Sequence, residues 1–161
     1  MTNEEPSLEW DDEAFADPKI QKDYEAALGQ FLVAFNRIEN VVGDVIVGAL
    51  KKAGREEILG LMKGEMFARK VLILDLVSMH FPETACWTLT NELRSLGSER
   101  NKLAHGHFDQ NPFDGSYHVV TSKKRLKMPL ETIRKLTERA EKAYEQLYTA
   151  SFWFEDERTD E

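Results

Sequence analysis

The chain has 161 residues, 42% of them hydrophobic and 31% charged, enough to bury one sizeable core and short for two. No run of about 18 uncharged apolar residues occurs, and the opening MTNEEPSLEWDD lacks the basic flank and apolar centre of a signal peptide, so a cytoplasmic protein with no membrane partner is expected. A single cysteine, Cys86, excludes an internal disulfide and a thiolate zinc site.

The net charge of −8 is unevenly spread. Residues 1–17 hold seven acids and no Lys or Arg, and residues 155–161 hold five acids and one Arg. The interval 18–154 keeps 20 bases against 17 acids, a net +3. The chain therefore divides into an acidic N-terminal arm (1–17), a mildly basic domain (18–154) and an acidic tail (155–161), and the overall charge does not reject a polyanionic substrate. The arm either folds over the basic body as a polyanion mimic or stays loose.

Pro18 closes the arm, and from Asp23 to about Lys52 the positions Leu28, Phe31, Leu32, Phe35, Ile38, Val42, Val45, Ile46 and Ala49 step by three and four, predicting a long amphipathic helix. Ala53-Gly54 breaks the pattern. A second helical region follows from Glu56 to about Met79 through Ile58, Leu61, Met62, Val71, Leu74 and Val77, with Gly60 and Gly64 as points of division. Pro82 suits the first turn of a third helix, which runs to Ala104 or His105 and ends at Gly106, a residue suited to the left-handed conformation.

The stretch GHFDQNPFDGSYHVVTSK then alternates around the turn-forming NPFDG and predicts a small antiparallel hairpin. Pro129 opens a last helix of about 20 residues through Ile133, Leu136, Ala140, Tyr144, Leu147 and Ala150. The expected fold is an all-α, antiparallel bundle of four to five helices with a β-hairpin inserted before the last. Phe152-Trp153-Phe154 either caps that bundle or meets a partner chain.

The informative stretch is the end of the third helix, SLGSERNKLAHG. Its apolar stripe reads Leu89, Leu93, Leu96, then Arg100, then Leu103, so a guanidinium stands where a leucine is expected. Unpaired burial there costs several kcal/mol, and such a break of pattern marks a functional site or a structural ion pair. Asn101 and His105, four apart, lie one above the other on a neighbouring face. Metal-free RNA cleavage needs an acid or base at the 2′-hydroxyl or the leaving 5′-oxygen and a fixed cation on the phosphorane. His105 suits the first task and Arg100 the second, with Asn101 to orient either. The competing reading pairs Arg100 with a buried acid such as Glu39 and leaves His105 as a helix cap.

The string Arg100-Asn101-Lys102-Leu103-Ala104-His105, followed by Gly106, resembles the R-N-x-x-x-H motif of the HEPN superfamily. HEPN domains are small helical bundles, many of them metal-independent endoribonucleases in toxin–antitoxin and other defence systems. The resemblance implies that Arg100 and His105 carry catalysis, that Asn101 assists, and that two protomers join their motifs in one composite cleft. It further implies RNA as substrate, no cofactor, an antitoxin or neighbouring regulator as partner, and Glu39 as support for the arginine. Members regulated by a nucleotidyltransferase tend to carry tyrosine two residues after the histidine, where this chain has His107. Other members bind without cutting, which makes an RNA-binding or protein-interaction module the alternative.

Around the motif, Lys102, His107, Lys123, Lys124 and Arg125 are candidates to track an RNA backbone, with Lys127 beside them; a lysine-protected strand edge is the competing reading. His105, His107 and His118 are a possible metal set, but no acidic or cysteine ligand lies in a recognisable motif with them, and no metal is expected. Phe108 and Tyr117 lie near enough to stack on bases, whereas Trp87, Cys86, Met62, Met66 and Met79 read as packing. No glycine-rich phosphate loop, nucleophile elbow or paired-carboxylate motif is present.

Overall fold

The computed structural model describes residues 15–62, 64–122 and 124–154; most of the expected acidic arm and all of the acidic tail, together with Lys123, lie outside the described residues. Helix α1 spans Pro18–Lys52. Pro18 opens the helix where it was expected to close the arm: its fixed φ suits the first turn, and the Asp17 side chain accepts a hydrogen bond from the Lys19 N–H at 2.8 Å. Ala16 N–H donates to the Pro112 carbonyl at 2.8 Å, so residues 16 and 17 belong to the folded body.

After α1 the chain returns along it as a 3₁₀ segment, Glu56–Met62, before helix α2, Phe67–Ser78. Gly64, at φ +80°, makes the break between them, whereas Gly60 sits within the 3₁₀ segment. Helix α3 spans Trp87–His105. Pro82, expected in its first turn, lies instead in a separate turn. There the Thr84 N–H and hydroxyl both donate to the Phe81 carbonyl, at 3.0 and 2.8 Å, and the helix starts only after Cys86.

Strands β1 (His107–Gln110), β2 (Tyr117–Val120) and β3 (Arg125–Lys127) form an antiparallel meander, one strand more than the expected hairpin. The β1–β2 turn is fixed by side chains. Asn111 Oδ1 accepts from Phe113 N–H at 2.9 Å and Asp114 Oδ1 from Ser116 N–H at 2.8 Å, while Gly115 takes φ +71°. Helix α4, Leu130–Ser151, follows Pro129 as expected.

The fold is mostly helical, but its helices are not all antiparallel. Phe35 meets Phe67, Glu39 meets Lys70, and both Gly48 and Phe81 meet Phe154, so α2 runs parallel to α1, the 3₁₀ return having used up one reversal. Residues 20–24 of α1 lie against 127–130 and residues 29–37 against Thr137 and Glu141, so α4 is parallel to α1 as well. Only α3 runs the other way. It pairs Arg94 with Asp75 of α2 and Glu92 with Arg139 of α4, the latter through two bonds of 2.6 and 3.0 Å. The α1 stripe makes the centre of the core: Phe31, Phe35 and Ile38 are sealed against Leu93, Leu96 and Leu147, each such side chain contributing about 1.5–3 kcal/mol.

Several apolar residues expected inside are outside. Trp87 is 71% exposed, Met66 78% and Met79 82%, and Cys86 is exposed as well; Met62 alone of that group is buried. At the C-terminal end Phe154 seals α1, its Cβ so close to Gly48 that any added Cβ there would meet it at 2.6 Å, whereas Phe152 and Trp153 stay exposed. Among the described residues no helix is long and apolar enough to cross a membrane.

Candidate functional site

An open groove of about 610 Å³ lies between the last two turns of α3 and the start of the β2–β3 turn. It is lined on the helix side by Ser98, Asn101, Lys102 and His105, at the helix end by Gly106 and His107, and on the sheet side by Val120, Thr121 and Ser122. Ser98, Asn101 and His105 step by three and four and so share one helix face. Ser98 was legible by that spacing; Thr121 and Ser122 reach the groove only through strand pairing, in which His107 opposes Val120.

Gly106 joins the two sides. Its φ is −77°, not left-handed as expected, so its backbone makes no special demand for glycine. The demand is for space: a Cβ would stand 2.5 Å from the Lys102 carbonyl oxygen and closer still to the Val119 side chain. The residue lets β2 pass directly under the end of α3, which sets His105 and His107 at the rim of one groove.

Arg100 does not line the groove. On a helix a five-residue separation turns a side chain by about 140°, so Arg100 and His105 diverge. The half-buried guanidinium lies over the Phe35 ring, 5.7 Å from its centroid, and Nη1 donates to Asn101 Oδ1 at 3.2 Å. Asn101 thereby touches the arginine and lines the histidine's groove. Glu39, the expected partner of Arg100, turns to Lys70 Nζ at 3.7 Å, and among the described residues Arg100 makes no ion pair. The apolar ring, not a carboxylate, accounts for a cation in the helix stripe.

The basic candidates are partly neutralised. Lys102 Nζ lies 2.7 Å from Glu99, and Arg125 lies 2.7 Å from Asp109. Lys124 is exposed and its backbone closes the β2–β3 turn through Thr121, whose N–H donates to the Lys124 carbonyl at 2.9 Å. Register places His107, Asp109, His118, Val120, Arg125 and Lys127 on the outer face of the sheet. His118 does not reach the groove, and among the described residues no three His, Cys, Asp or Glu side chains converge as a metal site.

Tyr117 has its ring face taken up within the fold, whereas Phe108 remains partly exposed. Tyr117 stacks on Tyr24 of α1 at 3.8 Å between centroids, and Phe108 meets Tyr24 edge-on at 6.0 Å. These rings fasten the sheet to α1. Compared with family models, curated proteins and solved structures, the chain has no significant match.

Proposed function

We propose that the protein is a HEPN-like endoribonuclease that cleaves RNA without a metal ion, acting as a homodimer in a toxin–antitoxin or defence setting. The supporting observation is the linkage through Asn101, which ties the Arg100 guanidinium to the groove where His105 stands exposed. In this reading His105 takes the 2′-hydroxyl proton or delivers a proton to the departing 5′-oxygen. The 2′-oxygen attacks phosphorus, the bond to the 5′-oxygen breaks, and Arg100 stabilises the charge on the phosphorane. The products are a 2′,3′-cyclic phosphate and a 5′-hydroxyl. Lys102, His107 and Lys124 line the path of the backbone.

A second reading rests on the divergence of Arg100 and His105 on one helix. A single chain holds the cation and the imidazole on different faces, which suits a module that binds RNA, a nucleotide or another protein without cutting.

Incubating a mixed RNA with wild type and with His105→Ala in EDTA, then analysing the new termini, separates the two. Cleavage by wild type alone, leaving cyclic phosphates, is expected. If neither protein cuts while both remain folded dimers, the binding module replaces the nuclease; equal cutting by both removes His105 from the chemistry.

A further inference from the structure

Cleavage through the 2′-hydroxyl moves two protons on opposite sides of one phosphorus: one leaves the attacking 2′-oxygen and one arrives at the departing 5′-oxygen. A single imidazole beside the phosphate serves one of those positions in a given transition state. The other needs its own group within hydrogen-bond reach, roughly 2.6–3.2 Å. The groove holds two histidines. His105 lines it from the last turn of α3 and His107 from the first residue of β1, and both residues are exposed.

Their spacing follows from Gly106. That residue is extended, at φ −77° and ψ 153°, so the Cα atoms on either side of it stand about 6–7 Å apart, two strand rises. Had α3 continued, the same two residues would be turned about 200° from each other around the helix and would face opposite ways. The close approach of Val119 to Gly106, which leaves no room for a Cβ, holds the chain in this course. The other lining residues offer no second proton carrier near neutral pH. Ser98, Thr121 and Ser122 carry hydroxyls, Asn101 an amide, and Lys102 is held by Glu99 at 2.7 Å. Asp109, the next residue on the same sheet face as His107, is taken by Arg125 at 2.7 Å, and His118 and Lys124 are the remaining titratable groups on that side.

We infer that His107 is a second catalytic residue, the proton-transfer partner of His105 across the scissile phosphate. The inference rests on the nuclease reading and gives His107 a chemical step in addition to a contact with the backbone. As the bond from the 2′-oxygen to phosphorus forms, one imidazole accepts the 2′-hydroxyl proton. As the bond from phosphorus to the 5′-oxygen breaks, the other, entering as imidazolium, gives its proton to that oxygen. The pair ends with its protonation states exchanged, and proton exchange with water restores it.

The test is single-turnover cleavage of a labelled RNA from pH 5 to 9, for which wild type is expected to give a bell-shaped rate profile. His107→Gln and His105→Ala should each be about 100-fold slower or more, and each should lose one limb of the bell. His118→Ala, outside the groove, should keep rate and profile. Affinity for a fully 2′-O-methylated copy of the RNA, which cannot be cut, should stay within about threefold of wild type in both groove variants. An RNA with sulfur in place of the bridging 5′-oxygen at the mapped cleavage site needs no proton on its leaving group. It should restore one groove variant and not the other, which tells acid from base; restoring both or neither overturns the division of roles. His107→Gln cutting at the wild-type rate while His105→Ala is inactive overturns the inference and leaves the nuclease reading standing. So does a loss in His107→Gln matched by lost RNA affinity, which makes the residue a backbone contact alone. No cleavage by wild type, or equal cutting by His105→Ala, overturns the nuclease reading and this inference with it.

Discussion

The Arg100 guanidinium lies over the Phe35 ring, 5.7 Å from its centroid, and reaches Asn101 with one hydrogen bond. Its stabilising contribution is thus that of a half-exposed cation on an aromatic face, on the order of 0.5–1 kcal/mol. Arg100→Ala should lower the urea-unfolding free energy by no more than about 1 kcal/mol, because no buried acid is left behind. The coupling between Arg100 and Glu39 in a double-mutant cycle should be near zero. A loss of about 3 kcal/mol in Arg100→Ala, recovered when Glu39→Gln is added, would show an ion pair after all. If the nuclease reading holds, the same substitution abolishes cleavage, separating a chemical role from a structural one.

Gly106→Ala should be the more damaging change at the motif. Its Cβ would meet the Lys102 carbonyl oxygen at 2.5 Å and the Val119 side chain, and a backbone oxygen in the last turn of α3 cannot swing aside as a side-chain tip can. The expected cost is about 1–3 kcal/mol, the range for overpacking a close contact, with β2 forced away from α3. Thermal melting measures the first effect, and amide shifts of Val120 and Thr121 the second. An unaltered melting temperature would mean that the strand is free to move.

How the chain is punctuated was legible where the chemistry is local. The α1 stripe, the start of α4 after Pro129 and the arginine set into the α3 stripe all follow from spacing that survives folding intact. Helix direction was not. The 3₁₀ return of residues 56–62 carries the same apolar steps as a helix, and only packing along α1 reveals that it reverses the chain and makes α2 parallel. The third strand was hidden because Arg125–Lys127 has a single apolar residue, Leu126, and forms by pairing with β2. Trp87, Met66 and Met79 read as core because apolarity reports what a side chain prefers, not whether this chain alone covers it. At the site, Asn101 and His105 were legible as neighbours, but the aromatic support of Arg100 comes from a residue 65 positions earlier in the chain.

The Glu92–Arg139 pair is the link between α3 and α4 most sensitive to its own geometry. Arg139 Nε and Nη2 bind the two oxygens of Glu92 at 2.6 and 3.0 Å, and Nη2 also donates to Ser95 at 2.9 Å; the carboxylate holds the guanidinium pKa above its usual value. Arg139→Lys keeps the charge but loses the fork and should cost about 1 kcal/mol. The folded pKa of Arg139 is raised, so its contribution is full at neutral pH and would fade only above the ordinary arginine range. Stability of the lysine variant relative to wild type should therefore be flat from pH 6 to 9. A difference that changes across that window would point to another titrating partner.

Tyr24 gives the clearest pH signature. Its ring is 3% exposed and stacked on Tyr117, and its hydroxyl is buried with no hydrogen-bond partner among the described residues. Burial, reinforced by the neighbouring Tyr117, pushes its pKa from 10.0 up to about 12. The folded state thus keeps a proton that the unfolded state gives up above pH 10. Stability from this group is full below pH 10 and is lost as pH rises from 10 to 12, by on the order of 1–2 kcal/mol after discounting for solvent screening at the ring's edge. Tyr24→Phe removes both the unpaired hydroxyl and the titration. It should be as stable as wild type or more so at pH 7, and its advantage should grow between pH 10 and 11.5 in urea titrations run side by side. Lysines titrate over the same range in both proteins, so only the difference between the two curves carries the effect. A constant difference across that range would mean that the Tyr24 hydroxyl ionises in the folded protein as easily as in water. A loss of more than about 1 kcal/mol at pH 7 would mean that the hydroxyl has found a partner.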